Sequence, residues 1–348
     1  MPFFKDLLKK IIDDDSDDEE SQTKKHSKAQ VKPYYGTITP DPNFNAARDA
    51  AALQKAIETK GVDEQTIVEI LVKKSNEQRQ QIKSAYEQST GKPLEETLKA
   101  ALKSEFEDVV LGLLMTPAQY DAHEIRMSMK GLGTNESVLC EILSTRSNKE
   151  ITELKKTFKE AYNEDLEEDI KCDTSGDFRD ALLALCKADR CEDEEIDDGV
   201  AKSDAKALLE AGEKKRGTVC SVFIDVLTSR SSPQLRKVFR YYGKYSTKGL
   251  VEALDDELTG DTEDCLMTLV KTAWNTPAYF AERLQQAMKG FGTNCGTLTR
   301  ILVSRSEVDL LKILHEYRRM YNRTLQEDLL AETKGDYETI LLALCGKK

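Results

Sequence analysis

Proline is scarce in this chain, 8 of 348 residues, and glycine is modest at 18, so collagen-like and low-complexity architectures are excluded. No uncharged apolar run approaches the ~18 residues that a bilayer-spanning helix needs. A secretory leader is missing as well, because Lys5, Asp6, Lys9 and Lys10 interrupt the first apolar residues. There is no Cys-x-x-Cys; the nearest cysteines are Cys186 and Cys191. Without a leader, the eight cysteines read as reduced cytosolic thiols. A basic excess is also lacking. Against 63 Asp+Glu stand 51 Lys+Arg, net −12, so the diffuse footprint of a specific nucleic-acid binder is absent. An anionic membrane repels such a chain unless something bridges the two. What is present, 39% hydrophobic and 33% charged residues, suits a soluble globular protein. The length is worth about two domains, or one large one, and either supports a core without staples.

The chain repeats itself. Lys-Gly-Leu-Gly-Thr at 130–134, Arg-Gly-Thr at 216–218 and Lys-Gly-Phe-Gly-Thr at 289–293 share a phrase, with a weaker copy at Lys60-Gly61-Val62. Gly61, Gly133, Gly217 and Gly292 serve as anchors. Thirteen residues after each comes a base followed by serine: Lys74, Arg146, Arg230, Arg305. Twelve further on stands Tyr86, Phe158, Tyr242 or Tyr317. Thirty after each base stands Ser104, Gly176, Gly260 or Gly335, each followed by an acid. Four landmarks at fixed offsets in four copies define four repeats. The spacing gives a tail over 1–43, repeats over 44–115, 116–187, 199–271 and 275–346, and an acidic linker over 188–198.

Each repeat reads as helices. Apolar residues fall six, nine and ten past the anchor, as in Leu139/Ile142/Leu143 and Leu298/Ile301/Leu302. Further stripes run Ile151, Leu154, Phe158, Tyr162 and Phe178, Ala181, Leu182, Leu185. Thr116-Pro117 and Thr276-Pro277 read as N-cap plus proline at the first helical position. Sustained period-2 alternation is absent, so the expected fold is all-α, with several short helices per repeat.

The loop Met129–Thr134 lies where one helix ends and another begins. A helix C-terminus carries orphan carbonyls and the negative dipole end, and glycines let the backbone turn to expose them. Carbonyl oxygens favour a hard cation, calcium above all, when a carboxylate completes the shell. Forty residues after the anchor stand Asp173, Glu257 and Glu332; in the first repeat that offset falls on Ala101. Loop and acid are therefore gained and lost together, which predicts three strong sites and one degenerate one. The phosphate readings fail, since neither a P-loop Gly-Lys-Ser/Thr nor a third fingerprint glycine is present.

At this point the residues resemble the annexin family, over roughly 44–348. The runs Gln78-Arg79-Gln80-Gln81-Ile82-Lys83, Thr174-Ser175-Gly176-Asp177-Phe178-Arg179 and Leu342-Ala343-Leu344-Cys345-Gly346 look most like its lipocortin-one type. The resemblance implies five helices per repeat, packed as a slightly curved disc. It implies calcium-dependent binding to anionic, phosphatidylserine-type phospholipid membranes, and no enzymatic activity. Membrane organisation, vesicle aggregation or trafficking, and phospholipase inhibition are the roles it brings. Carried over by motif, the second repeat uses carbonyls of Met129, Gly131 and Gly133 with Asp173. The fourth uses Met288, Gly290 and Gly292 with Glu332. The third uses Gly212, Lys215 and Gly217 with Glu257, on a longer loop. Minor sites are implied at Gly61, Val62 and Glu64; at Lys99, Leu102 and Glu107; at Thr134 and Glu136; and at Asp255, Leu258 and Glu263.

At the loop tips, Leu132 and Phe291 are placed to dip into a headgroup layer, and Lys130 and Lys289 to meet phosphate. In the tail, Phe3, Phe4, Leu7, Leu8, Ile11 and Ile12 share one helical face over 3–12, and Asp13–Glu20 then sets seven acids at the unfavourable end of that short helix. Such a helix needs a surface: its own core, a partner groove or a membrane. The resemblance supplies two, the repeats themselves and a small dimeric EF-hand protein. It also implies a cytoplasmic protein that moves to membranes as calcium rises, with nuclear or extracellular pools reached without a leader. Two other classes fit less well. The three histidines do not recur between repeats and form no catalytic spacing, so an enzyme is not indicated. A helical scaffold of the HEAT or armadillo kind explains the stripes but not the paired loop and acid.

Overall fold

A computed structural model describes residues 33–131, 133–213, 218–290 and 292–346. The tail residues Phe3, Phe4, Leu7, Leu8, Ile11 and Ile12, and the loop residues Leu132, Lys215, Gly217 and Phe291, lie outside the described residues.

Every repeat folds into five helices, and among the described residues there is no strand. In the first repeat these are Ala46–Glu58, Glu64–Leu71, Asn76–Thr90, Leu94–Ala101 and Ser104–Leu114. The second runs from Pro117–Ser128 to Gly176–Cys186, and the third begins at Asp198–Ala211. The long helix Asp261–Ala287 is broken at Asn275 (φ −156°, ψ 91°), so it supplies the last helix of the third repeat and the first of the fourth. Here one expectation is corrected. Thr116 accepts from the Gln119 N–H at 3.3 Å as an N-cap should. The Thr276 hydroxyl instead donates back to the Thr272 carbonyl at 2.8 Å. The turn at Asn275 is tight enough that the preceding helix claims the hydroxyl.

The landmarks acquire physical roles. The serine after the base caps the third helix, with full capping boxes at Ser75/Gln78 and Ser147/Glu150 and a simpler cap at Ser231. Ser306 is the exception; its hydroxyl donates to Val303 and the third helix of the fourth repeat starts only at Leu310. The bases are structural. Arg146 grips Asp121 at 2.7 Å with both side chains nearly buried. Arg230 grips Asp204 at 2.8 Å, and Lys74 lies 2.8 Å from Asp41 and 3.5 Å from Asp49. Phe280 occupies the corresponding place in the fourth repeat. Arg305 sets its guanidinium 4.8 Å from that ring and turns to Asp309 at 2.8 Å. The aromatics Tyr86, Phe158, Tyr242 and Tyr317 are all buried.

Two compact units result. Residues 121–276 hold the second and third repeats around one core that runs from Ala122 to Ala273. In it, Gly176–Cys186 packs on Cys220–Ser229, and Asp198–Ala211 on Ser232–Tyr245. The other unit, 33–120 with 277–346, joins the first and fourth repeats. Its Ser104–Leu114 helix packs on Cys295–Arg305 and Gly335–Leu344. Each fully buried Leu or Ile contributes roughly 1.5–3 kcal/mol, so the apolar stripes carry these units. Arg79 is the exception in the second core: it is 2% exposed, yet it donates to the carbonyls of Leu71 and Leu113 and pairs with Glu307 at 3.3 Å. Burial holds its guanidinium down to about 10, still charged at neutral pH. All eight cysteines are free thiols.

Candidate metal centres

In the second and fourth repeats the first helix gives way to a loop with two glycines at positive φ. In the second repeat it ends at Ser128, and the Ser128 carbonyl is claimed by the N–H of Asn135 at 2.7 Å. The fourth repeat closes identically, Asn294 donating to Ala287 at 2.7 Å, and the third closes through Val219 to Ala211 at 2.9 Å. That single bond pins both ends of the loop. Gly131 (φ 109°), Gly133 (φ 97°), Gly290 (φ 106°) and Gly292 (φ 92°) all take a backbone that side chains rarely adopt. Among the described residues, no backbone N–H points at the carbonyls of Met129, Gly131, Gly133, Met288, Gly290 or Gly292. The glycines are exposed, while Met129 and Met288 bury their side chains below the loop.

The distant acid reaches the same place. Asp173, Glu257 and Glu332 are each the last residue of the fourth helix of their repeats, and each is exposed. The loop threonine ties the two segments together. Thr134 donates to the Asp173 carbonyl at 3.5 Å, Thr218 to the Glu257 carboxylate at 3.5 Å, and Thr293 to the carbonyl and carboxylate of Glu332, both at 3.3 Å. Spacing alone did not reveal this tie at Thr218 and Thr293. Their recurrence one residue past the anchor, with valine in the first repeat, was the available signal.

A carboxylate at a helix C-terminus faces the negative end of the dipole, so these acids are placed against their own helix unless a cation arrives. In the second repeat the crowding is greater. Arg126 sits between Glu164 and Asp169, and burial together with Glu164 pushes the Asp169 carboxyl up to about 6. In the third repeat the loop residue Glu213 accepts from Tyr242 at 2.7 Å and from Ser246 at 2.5 Å. Burial and that carboxylate push the Tyr242 phenol up.

The first repeat keeps the closing bond, Asp63 donating to Ala56 at 3.0 Å, and a positive φ at Gly61 (88°), but differs in the rest. Its helix runs on to Glu58, Val62 takes φ 53°, and its N–H fills the Thr59 carbonyl at 2.8 Å. Ala101 ends the fourth helix. The minor candidates have a simpler layout. Lys99 and Leu102 close one helix where Glu107 opens the next, and Asp255 and Leu258 stand likewise before Glu263. Glu64 and Glu136 are first residues of their helices, just after Gly61–Val62 and Thr134. Lys130 and Lys289 are exposed beside the loops.

Among the described residues no three His, Cys, Asp or Glu side chains cluster as a metal site. An ion held here needs backbone oxygens as most of its ligands. Neutral carbonyls plus one carboxylate fit calcium and do not fit zinc or iron.

A sequence profile described as Annexin matches residues 48–113, 120–185, 203–269 and 279–344, and the chain belongs to that family. Among its relatives, annexin A1 of Rattus norvegicus is 56% identical over 331 residues, 94% of this chain and 95% of that protein. Annexin A1 of Homo sapiens is 56% identical over 309 residues, 89% of each. Of solved structures, annexin III superposes with a TM-score of 0.88 at 43% identity, over 90% of this chain and 98% of that one. A calcium-bound annexin (Sm)1 gives a TM-score of 0.80 at 30% identity, over 91% and 94%.

Proposed function

We propose that this protein binds anionic phospholipid membranes when calcium is present, through the loops of its second, third and fourth repeats. The observation that carries this reading is the threonine tie. In three repeats it joins the loop threonine to the acidic residue that ends the fourth helix, through the carbonyl at Asp173 and the carboxylates of Glu257 and Glu332, and threonine and acid are both absent from the first. Support also comes from family membership and from the calcium-bound relative.

In this reading Met129, Gly131, Gly133 and Asp173 hold one ion. Met288, Gly290, Gly292 and Glu332 hold another, and Gly212, Lys215, Gly217 and Glu257 a third. Gly61, Val62 and Glu64, Lys99, Leu102 and Glu107, Thr134 and Glu136, and Asp255, Leu258 and Glu263 serve as weaker sites. Bound calcium supplies a doubly charged bridge with positions open to water or lipid oxygen. One carboxylate per loop leaves the affinity for the free ion weak, ~10⁻⁴ M or poorer. A lipid phosphate or serine carboxylate that completes the shell must then strengthen calcium binding, because linkage is reciprocal. Three loops acting together add avidity of about 10²–10⁴. An acidic protein thereby reaches an acidic surface.

Leu132 and Phe291 enter the headgroup layer, with Lys130 and Lys289 on phosphate. Phe3, Phe4, Leu7, Leu8, Ile11 and Ile12 form the face offered to a small dimeric EF-hand protein. The protein works without catalysis, in the cytoplasm and at membranes, with nuclear or extracellular pools. Vesicle aggregation, membrane organisation or trafficking follow from occupying headgroups, and phospholipase inhibition from hiding them. The test is sedimentation with phosphatidylserine vesicles in calcium and in chelator. Calcium-only sedimentation supports the reading, and equal binding in chelator overturns it.

A further inference from the structure

The carbonyl that closes the first-helix loop belongs to Ala56, Ser128, Ala211 and Ala287 in the four repeats. The residue just before it is Lys55, Met127, Glu210 or Gln286, and all four are exposed. Three are polar, as an exposed helix end in water favours. The second repeat instead sets a methionine there, 45% exposed. Met129, Met267 and Met288 are buried, and Met115 and Met320 are partly covered, so among the described residues Met127 is the one exposed methionine. Its place is fixed by the loop. The Met127 carbonyl accepts from the Lys130 N–H at 3.4 Å, and the calcium ligand Met129 of the reading above follows two residues on. At 1.5 Å per helical residue, Met127 stands ~3 Å behind that ligand. One leaflet's headgroup layer is roughly 5–7 Å deep. A layer that settles on this helix end therefore reaches Met127, and the three rotatable bonds of its side chain let the thioether fill an uneven boundary.

We propose that Met127 is a membrane contact of the second repeat that peroxide switches off. This rests on the calcium-dependent membrane binding proposed above. Hydrogen peroxide transfers one oxygen to the thioether sulfur: its O–O bond breaks, an S–O bond forms, and water leaves. The sulfur is oxidised by two electrons and the peroxide is reduced by the same two. A flexible apolar side chain becomes a polar one, and the apolar contact is lost. The backbone oxygens of the loop and the Asp173 carboxylate do not react, so the ion is still held and only the adhesion beside it weakens. A methionine sulfoxide reductase reverses the change, taking the oxygen off as water while a dithiol is oxidised to a disulfide. Lys55, Glu210 and Gln286 offer no sulfur, so the second repeat alone is open to this control at that position.

Calcium titration of the full chain with phosphatidylserine vesicles, before and after hydrogen peroxide, tests this. Dithiothreitol after the treatment returns sulfenic acids and disulfides at the exposed Cys172 and Cys191 to thiols and leaves the sulfoxide, and peptide masses locate its gain of about 16 Da. The treated chain should need ~3-fold more calcium for half-sedimentation, and methionine sulfoxide reductase should restore it. Met127→Leu should sediment as the untreated chain does and ignore peroxide. Met127→Gln should match the oxidised chain with no treatment at all. The side chain is exposed, so both variants should fold, and circular dichroism checks it. A Met127→Gln chain that sediments like the unaltered one overturns the proposal. So does a Met127→Leu chain that loses as much to peroxide as its parent. An untreated chain that ignores calcium brings down the membrane reading and this proposal together.

Discussion

The first and fourth repeats share one compact unit and one five-helix plan, yet they finish their first helix in opposite ways. In the first, Thr59 keeps its N–H on Lys55, four residues back, and gives its carbonyl to Val62. In the fourth, Met288 and Lys289 donate only three residues back, to Gln285 and Gln286, and two glycines then turn the carbonyls loose. The first loop ends with its Thr59 oxygen consumed. The fourth ends with oxygens available and with Thr293 bonded to Glu332. Of the positions at which they differ, three bear on the oxygens and the acid: Thr59 for Gly290, Val62 for Thr293, and Ala101 for Glu332. The comparison teaches that a metal loop here is a helix end left unfinished, and that an ordinary turn is the same end completed.

The widest break removes all the acids. Asp173→Ala, Glu257→Ala and Glu332→Ala together should raise the calcium needed for vesicle sedimentation by ~100-fold or more, since three linked sites are lost at once. Each single change should shift it by a smaller factor. Asp121→Ala should cost about 3 kcal/mol of unfolding free energy, read by denaturant melts, because it strands the buried Arg146. Asp309→Ala should cost less, since Arg305 keeps Phe280 beneath it. Converting the fourth loop toward the first, with Gly290→Thr and Glu332→Ala, should remove one calcium from the titration stoichiometry in the presence of lipid. The reverse graft of Thr59→Gly, Val62→Thr and Ala101→Glu should add one, and an unchanged count would refute the three-position account. Smallest is Ser104→Gly. Ser104 takes φ 61° where Gly335 takes 66°, so the glycine should stabilise by roughly 1 kcal/mol while leaving calcium binding alone.

Much of this was legible beforehand because repetition averages out accident. The stripes Leu139/Ile142/Leu143 and Leu298/Ile301/Leu302 are buried as their period requires. The offset-forty acids prove to be helix ends, which is why their spacing from the loop holds across three repeats. What escaped was whatever one repeat does alone. Phe280 replaces an ion-pair partner with a ring, and no pattern in the other copies announces it. Arg79 looks like a surface base in Gln78-Arg79-Gln80 but is buried, its charge met by the carbonyls of Leu71 and Leu113 and by Glu307, far along the chain. The acidic linker is similarly deceptive. Arg190 within it donates to the carbonyls of Leu227 and Thr228, fastening it to a helix end that sequence spacing does not link to it.

The placement of Asp173, Glu257 and Glu332 at the negative ends of their helices has one more consequence. Each is poor choice for a resting molecule, and neutral amides there should make the ion-free form melt later. Durability at rest and responsiveness to a signal thus draw on the same three side chains in opposite directions. Ala101 marks the one repeat in which that conflict was settled in favour of endurance.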